Sequence, residues 1–253
     1  MSSQEEQWRE SLRGKVVLVT GAGSGLGEAT ARAFAATGCR LACLDINQTE
    51  LERVSQALEA EGNEVLACGC DVSQAEAVEQ SVARVLGRWP HIDVAVNCAA
   101  IDHTLSVTEM SVAQWDQVIG VNLRGPFLVA RALFPVMRQQ GGGHIINVAS
   151  TAALRAWANA SAYHASKWGL LGFSRALSVE GRPHGIRVTT IIPGGMRTHF
   201  FDRFLTQGIP LPPPELLQDP ATVAATIVFA ASLPTESALQ EILVTPLNET
   251  SWP

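Results

Sequence analysis

From Lys15 onward, short apolar runs alternate with helical stretches, and the first run passes directly into Thr20-Gly21-Ala22-Gly23-Ser24-Gly25-Leu26-Gly27. Few folds accept that order. The strand-like runs are predicted at 15–20, 40–45, 64–70, 92–97, 144–149, 186–192 and 241–245. The helical stretches between them are predicted at 25–37, 48–60, 73–88, 111–138, 161–180 and 221–232. Alternation of this kind means βαβ units, because parallel neighbours need a crossover of helical length. The runs are apolar almost without interruption, as strands covered on both faces should be. The expectation is an α/β chain: a single doubly wound Rossmann-type domain with a parallel sheet of about seven strands and helices on both faces. Residues 1–13 read as a polar extension and 14–253 as one domain. The segment 194–219 interrupts the pattern with Phe200, Phe201, Phe204 and Pro212-Pro213-Pro214, and reads as a substrate lid, since long loops in compact domains are usually functional.

The glycine-rich turn carries the first chemical signal. Glycines let the backbone turn tightly and approach a pyrophosphate, and the helix N-terminus that follows offers free N–H groups with partial positive charge. Leu26 stands where a strict G-x-G-x-x-G would place its last glycine, so the spacing is G-x-x-x-G-x-G at Gly21, Gly25 and Gly27. Asp45 closes the second strand eighteen residues beyond Gly27. A carboxylate there suits the ribose 2′-hydroxyl of NAD and repels a 2′-phosphate. Arg40, at the other end of the strand and about 16 Å away, is too distant to offset that repulsion. Ser24 occupies the loop position where a basic residue would serve NADP. NAD is therefore the expected cofactor. Asp45 as the cap of a helix starting near Asn47 is the competing structural reading.

The second signal is Tyr163, the only tyrosine in the chain, four residues before Lys167, one of two lysines. On a helix that spacing stacks both side chains on one face. A free tyrosine titrates near about 10. A fixed ammonium beside it should favour the phenolate and bring that value toward neutrality, giving a proton donor and acceptor for a substrate oxygen.

At this point the chain resembles the short-chain dehydrogenase/reductase family, over about residues 14 to 245. Thr20–Gly27 is similar to its T-G-x-x-x-G-x-G turn, Asp71-Val72 to the acidic position at the adenine end, and Asn97-Cys98-Ala99-Ala100 to its N-N-A-G. Asn122, Ser150, the Tyr163/Lys167 pair, Pro193-Gly194 and Thr198 match the remaining motifs in order. Cys98 and Ala100 depart from the pattern, and the ending lacks the frequent V-D-G-G. The resemblance implies an alcohol/ketone oxidoreductase. Tyr163 would be the general acid/base, and Lys167 would lower its pKa and bind the nicotinamide ribose. Ser150 would orient the substrate oxygen, and Asn122 would hold a water in a proton relay. It implies cofactor contacts from Gly21, Ser24, Gly25, Leu26, Gly27, Asp45, Asp71, Val72, Asn97, Ala99, Pro193, Gly194 and Thr198, together with Tyr163 and Lys167. A homodimer or homotetramer is likewise implied. The rivals are an NADP-dependent carbonyl or 3-oxoacyl reductase and a non-catalytic dinucleotide-sensing protein.

On the substrate side, Asp102, His103, Arg155 and Trp157 follow strands four and five, and Phe200 and Phe204 belong to the lid. The phenylalanines suggest an apolar secondary alcohol or ketone. Histidines 103 and 164 read as surface or packing residues. The net charge of −6 and the absence of basic blocks speak against a nucleic-acid partner. The polar N-terminus and the lack of a long apolar run suggest a cytoplasmic protein without a membrane partner. The five cysteines show no zinc-like spacing and read as small buried strand residues, with no metal site.

Overall fold

The computed structural model describes residues 10–249. Most of the polar N-terminal stretch and the last four residues therefore lie outside the described residues. Seven strands form one parallel sheet in the order β3-β2-β1-β4-β5-β6-β7. They are β1 Val16–Thr20, β2 Arg40–Asp45, β3 Val65–Gly69, β4 Val94–Asn97, β5 Gly143–Val148, β6 Ile186–Pro193 and β7 Glu241–Val244. The helices between them are α1 Gly25–Ala35, α2 Gln48–Ala60, α3 Ala75–Arg88, α4 Val112–Ile119, α5 Gly125–Gln139, α6 Ser161–Gly181, α7 Asp202–Thr206 and α8 Pro220–Ser232. This is the doubly wound architecture expected from the alternation. Predicted ends differ from observed ones by one or two residues at most elements, as helix and strand ends do.

The pleat of β1 shows how the two faces are filled. Val17 and Val19 join a core with Leu26, Ala31 and Phe34 of α1, Leu51 and Val54 of α2, and Ile227 of α8. Val16 and Leu18 point the other way, into a core with Val82 and Val85 of α3, Leu133 and Met137 of α5, and Leu177 of α6. Alternate residues of one strand thus feed separate cores, which is why the strand has no polar face. Leu12 is fully buried in the first core, so that core begins before residue 14. Cys39, Cys43, Cys68 and Cys70 are buried and free, while Cys98 is half-buried. None of the described helices is long and apolar enough to cross a membrane.

Two features escaped the periodicity. The stretch predicted as one helix over 111–138 is broken by a π-helical turn at Gly120–Arg124. An added residue in one turn leaves the apolar pattern on either side intact, so spacing does not reveal it. The segment 194–219 is not featureless: it contains α7 and is closed at its base by a bridge between Met196 and Gln218.

Strand order reverses at β1, whose neighbours are β2 and β4. The carboxyl ends of β1 and β4 flank the resulting crevice, where ligands of open α/β sheets bind.

Candidate active site

The glycine turn is shaped by close approaches. Gly21 has φ +67°, and a Cβ there would lie 2.9 Å from the Ala99 backbone. A Cβ on Gly27 would lie 1.9 Å from the carbonyl oxygen of Gly21, so only glycine lets α1 start this near the turn. Ser24 is the N-cap of α1, yet its side chain makes no capping bond. The first-turn N–H groups are thus left to an anionic ligand. The Ala99 N–H donates to Thr20 Oγ1 at 3.2 Å, tying the loop after β4 to the turn. Thr198 approaches from the other side, 3.5 Å from where a Gly25 Cβ would be.

Asp45 is not the helix cap. Asn47 caps α2, accepting the Glu50 N–H. Asp45 instead accepts the Gly23 N–H through Oδ2 and the Asn47 N–H through Oδ1, each at 2.8 Å. The carboxylate thereby braces the turn, with lone pairs to spare on both oxygens. The nearest guanidinium, that of Arg53, lies 3.4 Å from Gly23 O and pairs with Glu28 and Glu50, both at 2.7 Å. Arg40 pairs with Glu64 at the far end of β2. Asp71 accepts both the N–H and the hydroxyl of Ser73 through Oδ1, and Val72 beside it is buried.

Tyr163 and Lys167 are one turn apart on α6 and buried, 8% and 2% exposed. Lys167 Nζ donates to Val148 O at 2.8 Å and stands 5.6 Å from the tyrosine ring centroid. Burial brings Lys167 down to about 8. The expected lowering of the tyrosine is not found. Burial pushes Tyr163 up to about 12; the Ser150 hydroxyl works against that rise, Asp102 adds to it and Arg203 opposes it. The ammonium is committed to a backbone carbonyl, and desolvation of the phenol outweighs every nearby charge.

Asn122 sits in the π-helical turn. Its Oδ1 accepts the Ile101 N–H at 2.9 Å, and its Nδ2 donates to Ile101 O at 2.8 Å and to Ser166 Oγ at 3.1 Å. Both amide protons are spent holding the loop after β4 against α6. Ser150 lies two residues beyond β5 and caps the short turn Thr151–Ala153, its Oγ accepting the Ala152 N–H at 3.1 Å. Asn97 is drawn into the sheet: its amide donates to Asn147, and Asn147 to Ser174, each at 2.8 Å.

The substrate candidates divide. Phe200 covers Tyr163, their ring centroids 5.5 Å apart. Phe204 packs on Phe201 instead. His103 is held by Gln117 of α4 at 2.9 Å. Trp157 is 45% exposed and stacks edge-on against His164. His164 has Ala152 O on Nδ1 and the Trp157 N–H on Nε2, which fixes a neutral ring with its proton on Nδ1.

Residue spacing gave no sign of two pairs. Arg203 of α7 bonds Asp102 at 2.8 Å. Glu249, in the tail after β7, pairs with Arg155 and lies directly on Gly194. Sequence separations of about a hundred residues hide both. A cleft of about 780 Å³ lies between α1 and the lid, lined by Gly25, Arg32, Thr198, Phe201 and Pro213 among others; Tyr163, Ser150 and Lys167 do not line it.

Residues 15–207 match the family described as short chain dehydrogenase. D-threitol dehydrogenase of Mycolicibacterium smegmatis is 39% identical over 182 residues, covering 72% of this chain and 70% of that protein. Levodione reductase of Leifsonia aquatica is 38% identical over 196 residues, covering 76% and 73%. Among solved structures, a metagenomic short-chain oxidoreductase in complex with NADP superposes with a TM-score of 0.82 at 32% identity, covering 94% of this chain and 100% of that one.

Proposed function

The chain belongs to the short-chain dehydrogenase family, and we propose that within it this protein is an NAD(H)-dependent oxidoreductase interconverting a secondary alcohol and a ketone, with Tyr163 as the proton-transferring group. The observation that carries the reading is the burial of Tyr163 and Lys167 together beside Ser150, under Phe200, with Lys167 on the carbonyl of Val148 at the carboxyl end of β5. The glycine turn, with its uncapped helix start, fits a dinucleotide pyrophosphate. When bound, the nicotinamide supplies the hydride donor or acceptor.

The chain's own residues handle the proton. Burial favours the neutral phenol, the form that donates to a carbonyl oxygen during reduction. Lys167, brought down to about 8 by burial, can resupply that proton. Ser150 shares the substrate oxygen with Tyr163 and fixes its position. The amide protons of Asn122 are both engaged, so a relay water would be held through an oxygen of that residue. Asp45 supports NAD: its free lone pairs suit a ribose diol, and Arg53, whose guanidinium reaches Gly23 O, is already held by two carboxylates.

We take the sheet and its helices as one cofactor-binding and catalytic unit, with 194–219 as its lid. Assembly as a homodimer or homotetramer is expected.

The test is to follow NADH and NADPH formation and consumption across a panel of alcohols and ketones. NAD should be preferred. Tyr163→Phe should lower kcat/KM by a factor of about 10² or more while leaving dinucleotide binding intact. Full turnover in that variant would overturn the assignment. Dinucleotide binding without turnover on any panel member would favour a sensing protein.

A further inference from the structure

The wall facing Tyr163 carries a buried ion pair that proton transfer does not use. Arg203 Nη2 bonds Asp102 Oδ2 at 2.8 Å, with side chains 21% and 5% exposed. Arg203 Nε donates to Thr104 Oγ1 at 3.0 Å, and its Nη1 donates to Phe200 O. The guanidinium lies 4.2 Å from the centroid of the Phe200 ring, the ring that covers Tyr163. The pair is close enough for both charges to act on the phenol. Asp102 Oδ2 is thus occupied by Arg203 and by the Thr104 hydroxyl at 3.3 Å. Oδ1 is buried and has no hydrogen-bond partner among the described residues.

An orphaned buried acceptor is costly, more so when charged, so native structures rarely keep one without a use. The lid makes the orphan: α7 brings Arg203 to one oxygen of Asp102, whose charge reaches the Tyr163 phenol, and leaves the other without a partner.

We propose that Asp102 Oδ1 is a substrate contact that accepts a hydrogen bond from a second hydroxyl, so that the preferred substrates are diols and hydroxy ketones. This rests on the alcohol/ketone reading above and sharpens it. The recognised group is a neutral donor, because Arg203 already balances the charge of Asp102. A cationic substrate would be placed beside the guanidinium, and an anionic one against Oδ1. The carbon skeleton would lie on Phe200, which makes the substrate amphipathic and not apolar throughout. Sites built to bond a hydroxyl reject analogues that lack it far more strongly than apolar pockets sort by size.

The experiment compares butane-2,3-diol with butan-2-ol, and propane-1,2-diol with propan-2-ol, using NAD and the intact protein. In each alcohol one carbinol carbon gives up a hydride and its oxygen a proton, so the paired substrates differ only in the second hydroxyl. The wild type should favour the diol by a factor of about 10² or more in kcat/KM. Asp102→Asn, which keeps the side-chain volume, should cut that ratio at least about tenfold. Direct titration of the Tyr163→Phe protein should show the diol binding more tightly than the mono-alcohol. Absence of a diol preference in the wild type overturns the proposal whatever the variant does. A ratio unchanged in Asp102→Asn removes Asp102 from it. Failure of every alcohol and ketone with both dinucleotides would instead sink the functional reading itself.

Discussion

Replacing Lys167 with Met gives the sharpest test of the site's electrostatics. Lys167 is 2% exposed and brought from 10.5 to about 8 by burial. In the unfolded chain it titrates at its ordinary value. Between those limits the unfolded state holds the proton and the folded state releases it, so stability rises with pH. The contribution is fully present above about 10.5 and is lost as pH falls through about 8. Two and a half units at about 1.4 kcal/mol each give roughly 3 kcal/mol. Other groups act in the same range. Burial pushes Cys43 up to about 12 and Tyr163 to about 12, and both reduce stability as pH rises through their unfolded values. The quantity to measure is therefore the difference between wild type and Lys167→Met. Met keeps the unbranched length and removes the titration. Loss of the bond to Val148 O adds an offset that does not vary with pH. Urea unfolding at intervals from pH 7 to 10.5 should show the wild type gaining about 3 kcal/mol relative to the variant, with most of the change above pH 8. A constant difference would refute the depressed pKa, and with it the proposed role of Lys167 in resupplying the proton.

Gly27→Ala should weaken dinucleotide binding at least about tenfold and destabilise the fold by about 1–3 kcal/mol, because its Cβ meets the Gly21 carbonyl; calorimetric titration and melting check both. Asp45→Asn should lower the NAD over NADP ratio of kcat/KM by about tenfold or more, since a 2′-phosphate would no longer face a carboxylate. Glu249→Gln should cost about 2 kcal/mol by weakening a charge-assisted bond to Arg155. It should also raise the dinucleotide KM, because Glu249 rests on Gly194.

Particular residues show how far sequence reached. The sheet was legible because its central strands, β1 above all, are apolar on both faces, and the cofactor turn because glycines are needed where Gly21 and Gly27 touch backbone. The Tyr163/Lys167 pair was legible because four residues are one helical turn. The π-helical turn around Asn122 was not: it shifts hydrogen bonds without disturbing apolar spacing. The rise of Tyr163 on burial was not legible for a related reason. Spacing shows that a lysine is near, but whether it acts on the phenol depends on how deeply both are buried and on what the ammonium bonds. His103 and Trp157 follow strand ends, where ligands bind, yet side-chain direction turned one toward Gln117 and the other toward solvent and His164.

The fold, the glycine turn and the helix bearing Tyr163 and Lys167 could be read along the chain, because each depends on local periods and on residue types within a few turns of one another. Only long-range packing sets what surrounds Tyr163. Asp102 and Arg203 are 101 residues apart, and Arg155 and Glu249 are 94 apart. Their pairing follows from where the lid and the tail pack, and packing over such distances leaves no period along the chain.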